Sequence, residues 1–378
     1  MTLENLNVLF FKNYEEADIT FSPHINCFIG PNGSGKTNLL DAIHYLSLTK
    51  SAFAGSDVQN VKQGEDYFMV RGRFAQEEQK NLIQCTFRTG QKKIITNNKV
   101  PYEKVSEHVG RFPVVLISPY DTDLVREGSE ERRKYFDSLI SQLNHDYLDN
   151  LLRYNHFLKQ RNLLLKQFAD RNYYDSDYLQ VLTEQMIPFG EQISATRQAF
   201  LKEFEPVFQK QYRFLSESSE EVRIEYKSQL PGQDFAYLLK QNERKDSILQ
   251  RTSVGPHKDD FVFLMDENSV KHFGSQGQQK SFVIALKLAQ FELTAAAKNQ
   301  KPLLLLDDIF DRLDEKRIAK LLEMVANHTF GQLFITDSHQ ERTQLFLKDL
   351  SEDIRTFWVR NGSVSPHPGP PLIQGREL

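Results

Sequence analysis

The run Gly30-Pro31-Asn32-Gly33-Ser34-Gly35-Lys36-Thr37 matches G-x-x-x-x-G-K-[ST]. That spacing suits the cradling of a nucleotide's phosphates. Glycines let main-chain N–H groups converge on phosphate oxygens, and a helix opening behind them adds the positive end of its dipole. Lys36 is placed to bridge the β- and γ-phosphates and the Thr37 hydroxyl to hold Mg²⁺, so ATP and Mg²⁺ are the expected cofactors. The four fixed positions arise by chance in roughly one chain in a hundred of this length. Context narrows this further: the apolar run Ile25–Ile29 precedes the loop and a helical pattern follows it.

Leu303-Leu304-Leu305-Leu306 reads as a strand buried on both faces, with Asp307 and Asp308 emerging at its C-terminal end, where open α/β sheets bind ligands. Asp307 is placed to hold Mg²⁺ and Asp308 to orient or deprotonate an attacking water. Ser275-Gln276-Gly277-Gln278 opens a long helix leading to that strand, and a Ser and Gly beside a helix N-terminus suit an anion. In the order phosphate loop, insert, Ser-Gln-Gly-Gln, paired acids, then histidine, the chain resembles ABC-type ATPases. The resemblance implies that Ser275, Gln276, Gly277 and Gln278 cap the γ-phosphate bound by a second copy. It also implies that Phe310–Asp314 is a D-loop and that His339 contacts the γ-phosphate as a switch.

Several elements must position these groups. Strand-like runs at Leu6–Phe11, Asp18–Phe21, Tyr67–Phe74, Leu82–Arg88 and Pro113–Ile117 surround the phosphate loop, with a hairpin at Lys92–Val100 turning on Asn97-Asn98. From about Glu130 the chain becomes rich in Leu, Gln, Lys, Arg and Glu, and apolar residues recur at helical spacing. Two or three mid-length helices are expected there, interrupted at Asp175–Tyr178 and Pro188. Strand and helix then alternate again. The expected fold is α/β, an ABC-type head with a mixed sheet formed by residues 1–130 and 220–362. A helical arm, 131–219, is inserted, and a Pro-rich disordered tail covers 363–378.

The 378 residues carry a net charge of −4, so any polyanion must meet a local basic patch. No apolar run approaches the roughly 18 residues of a membrane span. With only Cys27 and Cys85 and no metal-ligand spacing, a reducing, cytoplasmic setting is expected.

At greater length the chain resembles the RecF family of bacterial recombinational-repair ATPases. Leu9–Tyr14 resembles the family's L-x-x-F-R-N-Y opening, with Lys12 where arginine is usual. Ser118–Val125, Gly128 and Glu131–Asp137 are similar to its S-P-x-D-L and R-R-x-F-L-D block. In this chain Thr122 stands between Asp121 and Asp123, and the step from Gly128 to the arginine pair is one residue shorter. Gly255-Pro256-His257-Lys258-Asp259-Asp260 resembles G-P-H-R-D-D, and Gly277–Ser281 resembles G-Q-Q-K-S. The resemblance implies a head that dimerises on ATP, Lys12 and Asn13 beside the nucleotide, and slow hydrolysis. It also implies binding of double-stranded DNA at single-strand/double-strand junctions of gaps, acting with RecR and RecO to load the RecA recombinase.

Phosphate contacts need clustered cations. The candidates are Arg132, Arg133 and Lys134, the arm positions Arg153, Lys159, Arg161 and Lys166, and Lys92-Lys93. Two other classes share parts of this pattern. A coiled-coil ATPase of the SMC or Rad50 type carries hundreds of residues between its head halves, against roughly a hundred here at about 1.5 Å per helical residue. A transporter's nucleotide-binding subunit usually carries L-S-G-G-Q in place of Gly274–Gln278.

Overall fold

The computed structural model describes residues 1–76, 79–171, 173–230, 232–309, 315–347 and 353–366. The chain divides into two compact units, Met1–Tyr120 with Thr294–Leu378, and Asp121–Leu293.

The first unit begins with β1 (Thr2–Leu9), β2 (Glu16–Thr20) and β3 (Ile25–Ile29). These lead to α1 (Lys36–Leu48), β4 (Tyr67–Gln76), β5 (Gln79–Arg88), β6 (Ile94–Asn97), β7 (Val100–Pro101) and β8 (Val114–Ile117). The second unit contributes α2 (Asp123–Arg126), α3 (Ser129–Leu143), α4 (His145–Arg171), α5 (Ser176–Ser216), β9 (Val222–Lys227), α6 (Phe235–Gln241) and α7 (Glu243–Leu249). It continues through β10 (Asp260–Met265), β11 (Asn268–Ser269), α8 (Val270–Phe273) and α9 (Gln276–Lys298), and the division falls within α9. The chain then completes the first unit with β12 (Leu303–Leu306), α10 (Glu315–Ala326), β13 (Leu333–Asp337), α11 (Gln340–Leu347), β14 (Ile354–Arg360) and β15 (Ser363–Pro366).

The first unit has two six-stranded sheets. One, in the order β2-β1-β4-β5-β6-β7, is antiparallel; the other runs β15-β14-β3-β13-β12-β8, parallel except for the β14–β15 hairpin. Helix α1 touches β4 and β5 of one sheet and β8 and β13 of the other. It is therefore buried around its whole circumference, with Leu39, Leu40, Ile43, Tyr45 and Leu46 in the core. The fully buried strands β3, β8, β12 and β13 carry apolar runs because both their faces are covered. The architecture is mixed α/β, as expected.

Three details differ from the sequence expectations. The β6–β7 hairpin turns on Asn98 and Lys99, at φ 50° and 70°, one residue later than expected, because those two positions adopt the left-handed conformation the tight turn needs. Helix α5 runs 41 residues straight through Pro188 and Pro206. Each interior proline costs roughly 3 kcal/mol, and burial of Leu182, Met186, Ile193, Leu201, Phe204 and Phe208 along the same helix offsets it. Third, Ser363–Pro366, expected to be disordered, forms β15 on β14; residues 367–378 lie outside the described residues, as does the expected D-loop Phe310–Asp314.

The unit boundaries also fall away from 130/131 and 219/220. Strands β9 and β10 pack on α5 and α3, with Phe136 stacked on Phe261 at 4.1 Å, so 121–130 and 220–293 cohere with the helices.

Candidate functional site: a phosphate loop at the strand ends

The strand ends of the parallel sheet gather the first unit's chemistry. Buried β3 delivers the chain to Gly30, whose N–H donates to the Asp337 carbonyl at 3.3 Å. Gly35 stands at the N-cap of α1 with φ 114°, a conformation other residues reach only under strain. A side chain there would also collide with Asn13 and the Tyr14 hydroxyl. Lys36 Nζ donates to the carbonyls of Gly30 and Pro31, at 3.0 and 3.2 Å, so its ammonium lies over the loop.

The Thr37 hydroxyl donates to the Asp307 carboxylate, 2.8 and 3.0 Å from its two oxygens. Thr336 Oγ1 donates to Asp307 Oδ1 at 2.8 Å and accepts the Asp308 N–H at 2.9 Å. The parallel register pairing Leu306 with Ile335 sets Thr336 beside the acids. Burial raises the Asp307 pKa; the hydroxyls of Thr336 and Thr37 pull it down, and the Asp308 charge adds to the rise. A hydroxyl and a buried, electrostatically unfavourable carboxylate form a hard oxygen donor set that fits Mg²⁺. Among the described residues no group of three or more His, Cys, Asp or Glu could cage a metal. Mg²⁺ bound there would neutralise phosphate charge.

Two supports of the site carry no sequence signal. Thr336 and Asp337 end β13 and stand out only once the strand register is known. Burial works to raise the Asp337 pKa, but hydrogen bonds from Arg342, from Thr343 Oγ1 (2.6 Å) and from the His339 N–H (3.1 Å) leave it below its usual value. Asp337 thereby fixes the turn that presents His339, whose side chain is 67% exposed and whose Nδ1 lies 2.9 Å from Ser338 Oγ. The Lys12–Tyr14 segment braces the loop: Asn13 Nδ2 donates to the Ser34 carbonyl (3.0 Å) and Tyr14 OH to the Gly35 carbonyl (2.9 Å). Asn38 donates to Asn13 Oδ1 at 2.8 Å, and Lys12 is ion-paired with fully buried Asp41 on α1.

The Ser-Gln-Gly-Gln segment belongs to the second unit. Ser275 Oγ accepts the Gln278 N–H at 3.2 Å and Gln278 Oε1 accepts the Ser275 N–H at 2.7 Å, a capping box at the start of α9. Ser275 and Gln276 are exposed and Gly277 and Gln278 half-buried, so the helix start and the Ser275 hydroxyl face solvent.

The second unit also sorts five of the DNA candidates. Arg161 is corrected: its side chain is 1% exposed, pairs with fully buried Asp246 at 2.8 Å and donates to Thr183 and Thr252, so it cannot reach a phosphate. Arg132 makes a two-pronged pair with Asp260, at 2.8 and 3.0 Å, and holds two main-chain carbonyls, which commits it to the fold. Lys134 pairs with Glu130 and Glu131, and Arg153 with Asp149, on exposed helix faces. Arg133 donates to Ser129 Oγ and the Asp259 carbonyl and keeps a half-buried guanidinium.

A phosphate loop at the end of a parallel strand, a threonine hydrogen-bonded to a strand-end aspartate and an α/β head define a P-loop ATPase of the ABC/SMC head class. The chain matches the RecF/RecN/SMC N terminal domain over residues 2–363. It is 47% identical over 368 residues, covering 97% of each chain, to the DNA replication and repair protein RecF of Cytophaga hutchinsonii. Two solved structures of the recombination mediator protein RecF in the RecFOR pathway, its ATPrS and ATP forms, superpose with TM-scores of 0.86 and 0.84. Each shows 29% identity, over 97% of this chain and 98% and 99% of theirs. The chain belongs to the RecF family, within the wider RecF/RecN/SMC group.

Proposed function

We propose that this protein is an ATP-gated DNA clamp of recombinational repair, acting in the cytoplasm. Lys36 and the loop N–H groups bind the ATP phosphates, with Lys12 and Asn13 at the loop's edge, and Thr37 and Asp307 hold Mg²⁺. Asp308 orients the attacking water and His339 contacts the γ-phosphate. Ser275 and Gly277 of one copy complete the γ-phosphate site of the other, so ATP closes the dimer and slow, DNA-dependent hydrolysis reopens it. The closed dimer holds double-stranded DNA at single-strand/double-strand junctions and, with RecO and RecR, promotes loading of RecA.

The observation that carries this reading is the Thr37–Asp307–Thr336 chain at the strand end. Full-length similarity to relatives named for DNA replication and repair supports it, as does the solvent-facing helix start at Ser275. Among the described residues no helix is long and apolar enough to cross a membrane.

Gapped duplex DNA mixed with the protein, with and without ATP, tests it when retention and dimerisation are read together. ATP-dependent retention by a dimer is expected; no ATP-dependent retention at low salt refutes the reading. Ser275→Arg is expected to spare ATP binding and block the dimer.

A further inference from the structure

The loop Gly255–Asp260 is held at several points. Arg197 Nη1 donates to the Pro256 carbonyl (2.8 Å) and lies 3.2 Å from Asp259 Oδ2, while Arg132 grips Asp260. His257 Nε2 lies 3.0 Å from the Thr252 carbonyl and its Nδ1 lies 2.7 Å from the Tyr154 hydroxyl. Burial holds the His257 pKa down to about 4, so the ring is neutral near pH 7 and makes both contacts at once.

Fixed in this way, the loop projects cations. Lys258 is exposed, and Arg133 donates to the neighbouring Asp259 carbonyl. Exposed Arg251 adjoins Thr252, the residue that receives His257. The nearby carboxylates are already engaged: Asp246 with Arg161, Asp259 with Arg197, Asp260 with Arg132. Among the described residues Arg251 and Lys258 have no ion-pair partner. Partial burial, and then the Arg251 and Arg133 charges, hold the Lys258 ammonium below its ordinary pKa. Helix α7 leads into this patch, with Asp246 turned inward and Arg244 and Lys245 exposed.

We propose that Arg133, Arg251 and Lys258 form a binding surface for the phosphodiester backbone of DNA, entered along Arg244 and Lys245. This rests on the DNA reading above and gives it a location. Cations crowded around a rigid loop whose carboxylates are held by other arginines gain free energy when a polyanion replaces the small ions around them. A single patch of Lys and Arg contacting phosphates carries no base readout, so recognition is independent of sequence.

The test compares the wild-type chain, an Arg251→Glu/Lys258→Glu double variant and an Arg251→Gln/Lys258→Gln double variant. Binding to gapped duplex is measured with ATP from about 50 to about 200 mM salt. The glutamate variant is expected to bind at least about tenfold more weakly, with a log–log salt slope shallower by about two, and the glutamine variant to fall between. ATP affinity should match wild type in both, since neither residue belongs to the nucleotide site. Wild-type binding with unchanged affinity and slope in both variants overturns this surface while leaving the DNA reading intact. A wild-type chain that retains no DNA overturns both.

Discussion

The main-chain N–H of Gly362 donates to the carbonyl of Ser34 at 3.1 Å. Gly362 lies in the turn of the C-terminal β14–β15 hairpin, and Ser34 lies in the phosphate loop. Asn13 Nδ2 donates to the same carbonyl. In a planar trans peptide the C=O and the following N–H point in opposite directions. Two donors holding the Ser34 oxygen therefore fix the direction of the Gly35 N–H, one of the donors a phosphate loop aims at its ligand. Tyr14 OH on the Gly35 carbonyl does the same for the Lys36 N–H.

Gly362→Ala should therefore weaken ATP binding. The position has φ 75°, and an added Cβ would lie 2.5 Å from the Asn13 carbonyl oxygen. The left-handed strain alone is about 1–2 kcal/mol, and relieving the contact moves the turn off Ser34. A roughly tenfold loss of affinity is expected in a fluorescent-nucleotide titration. The melting temperature should fall by only a few degrees, because β14, with Phe357 and Val359 in the core, stays paired with β3. Unchanged affinity would show that Asn13 alone holds the carbonyl.

Thr336→Val should slow hydrolysis more than it weakens binding. The hydroxyl both donates to Asp307 and accepts the Asp308 N–H. Its loss removes the hydrogen bond to Asp307 and the acceptor of the Asp308 N–H, at about 1–3 kcal/mol. Steady-state turnover is expected to fall about tenfold or more, with Thr336→Ser restoring most of it. A serine variant as slow as the valine one would trace the defect to packing.

These supports show where sequence stops informing structure. The phosphate loop is local, a strand, a turn and a helix within 24 residues from Ile25 to Leu48, so its spacing alone announces it. Asp307 and Asp308 are legible because four leucines mark a strand with both faces covered. Thr336 depends on which residue lies opposite Leu306 in a parallel ladder, a non-local fact. Arg161 reads as one cation among many on a helix, yet Asp246, 85 positions away, folds onto it. Pro188 signals a break that tertiary burial overrides.

The first unit should lose stability in acid through His108. Its side chain is fully buried, Nε2 lies 2.6 Å from the Leu46 carbonyl, and Nδ1 has no hydrogen-bond partner. Burial lowers its pKa from 6.5 to about 4, with only partial relief from the carbonyl. As pH falls, the unfolded chain takes up this proton first. Stability from this group is therefore complete above about pH 6.5 and declines toward pH 4, by at most about 3 kcal/mol. Urea unfolding followed by fluorescence of Trp358, the chain's one tryptophan and part of this unit, should show that slope. His108→Gln should flatten it, and an equal slope in the variant would assign the acid sensitivity to other groups.

Asp246→Ala should be among the most destabilising single changes in the second unit. Fully buried Asp246 accepts from Arg161 Nη1 at 2.8 Å, from the Ser253 N–H at 2.9 Å and from Ser253 Oγ at 2.6 Å. Removing it strands a buried guanidinium, a loss of about 3–5 kcal/mol. An Arg161→Met/Asp246→Leu pair removes both charges and should recover much of that, since a buried ion pair exchanged for apolar groups is often neutral. Helical circular dichroism is the suitable probe, because Trp358 reports on the other unit. The double variant also separates fold from function. If Arg161 serves only to hold Asp246, that protein retains gapped DNA as the wild type does; a tenfold loss of retention in a stably folded double variant would return Arg161 to the DNA surface.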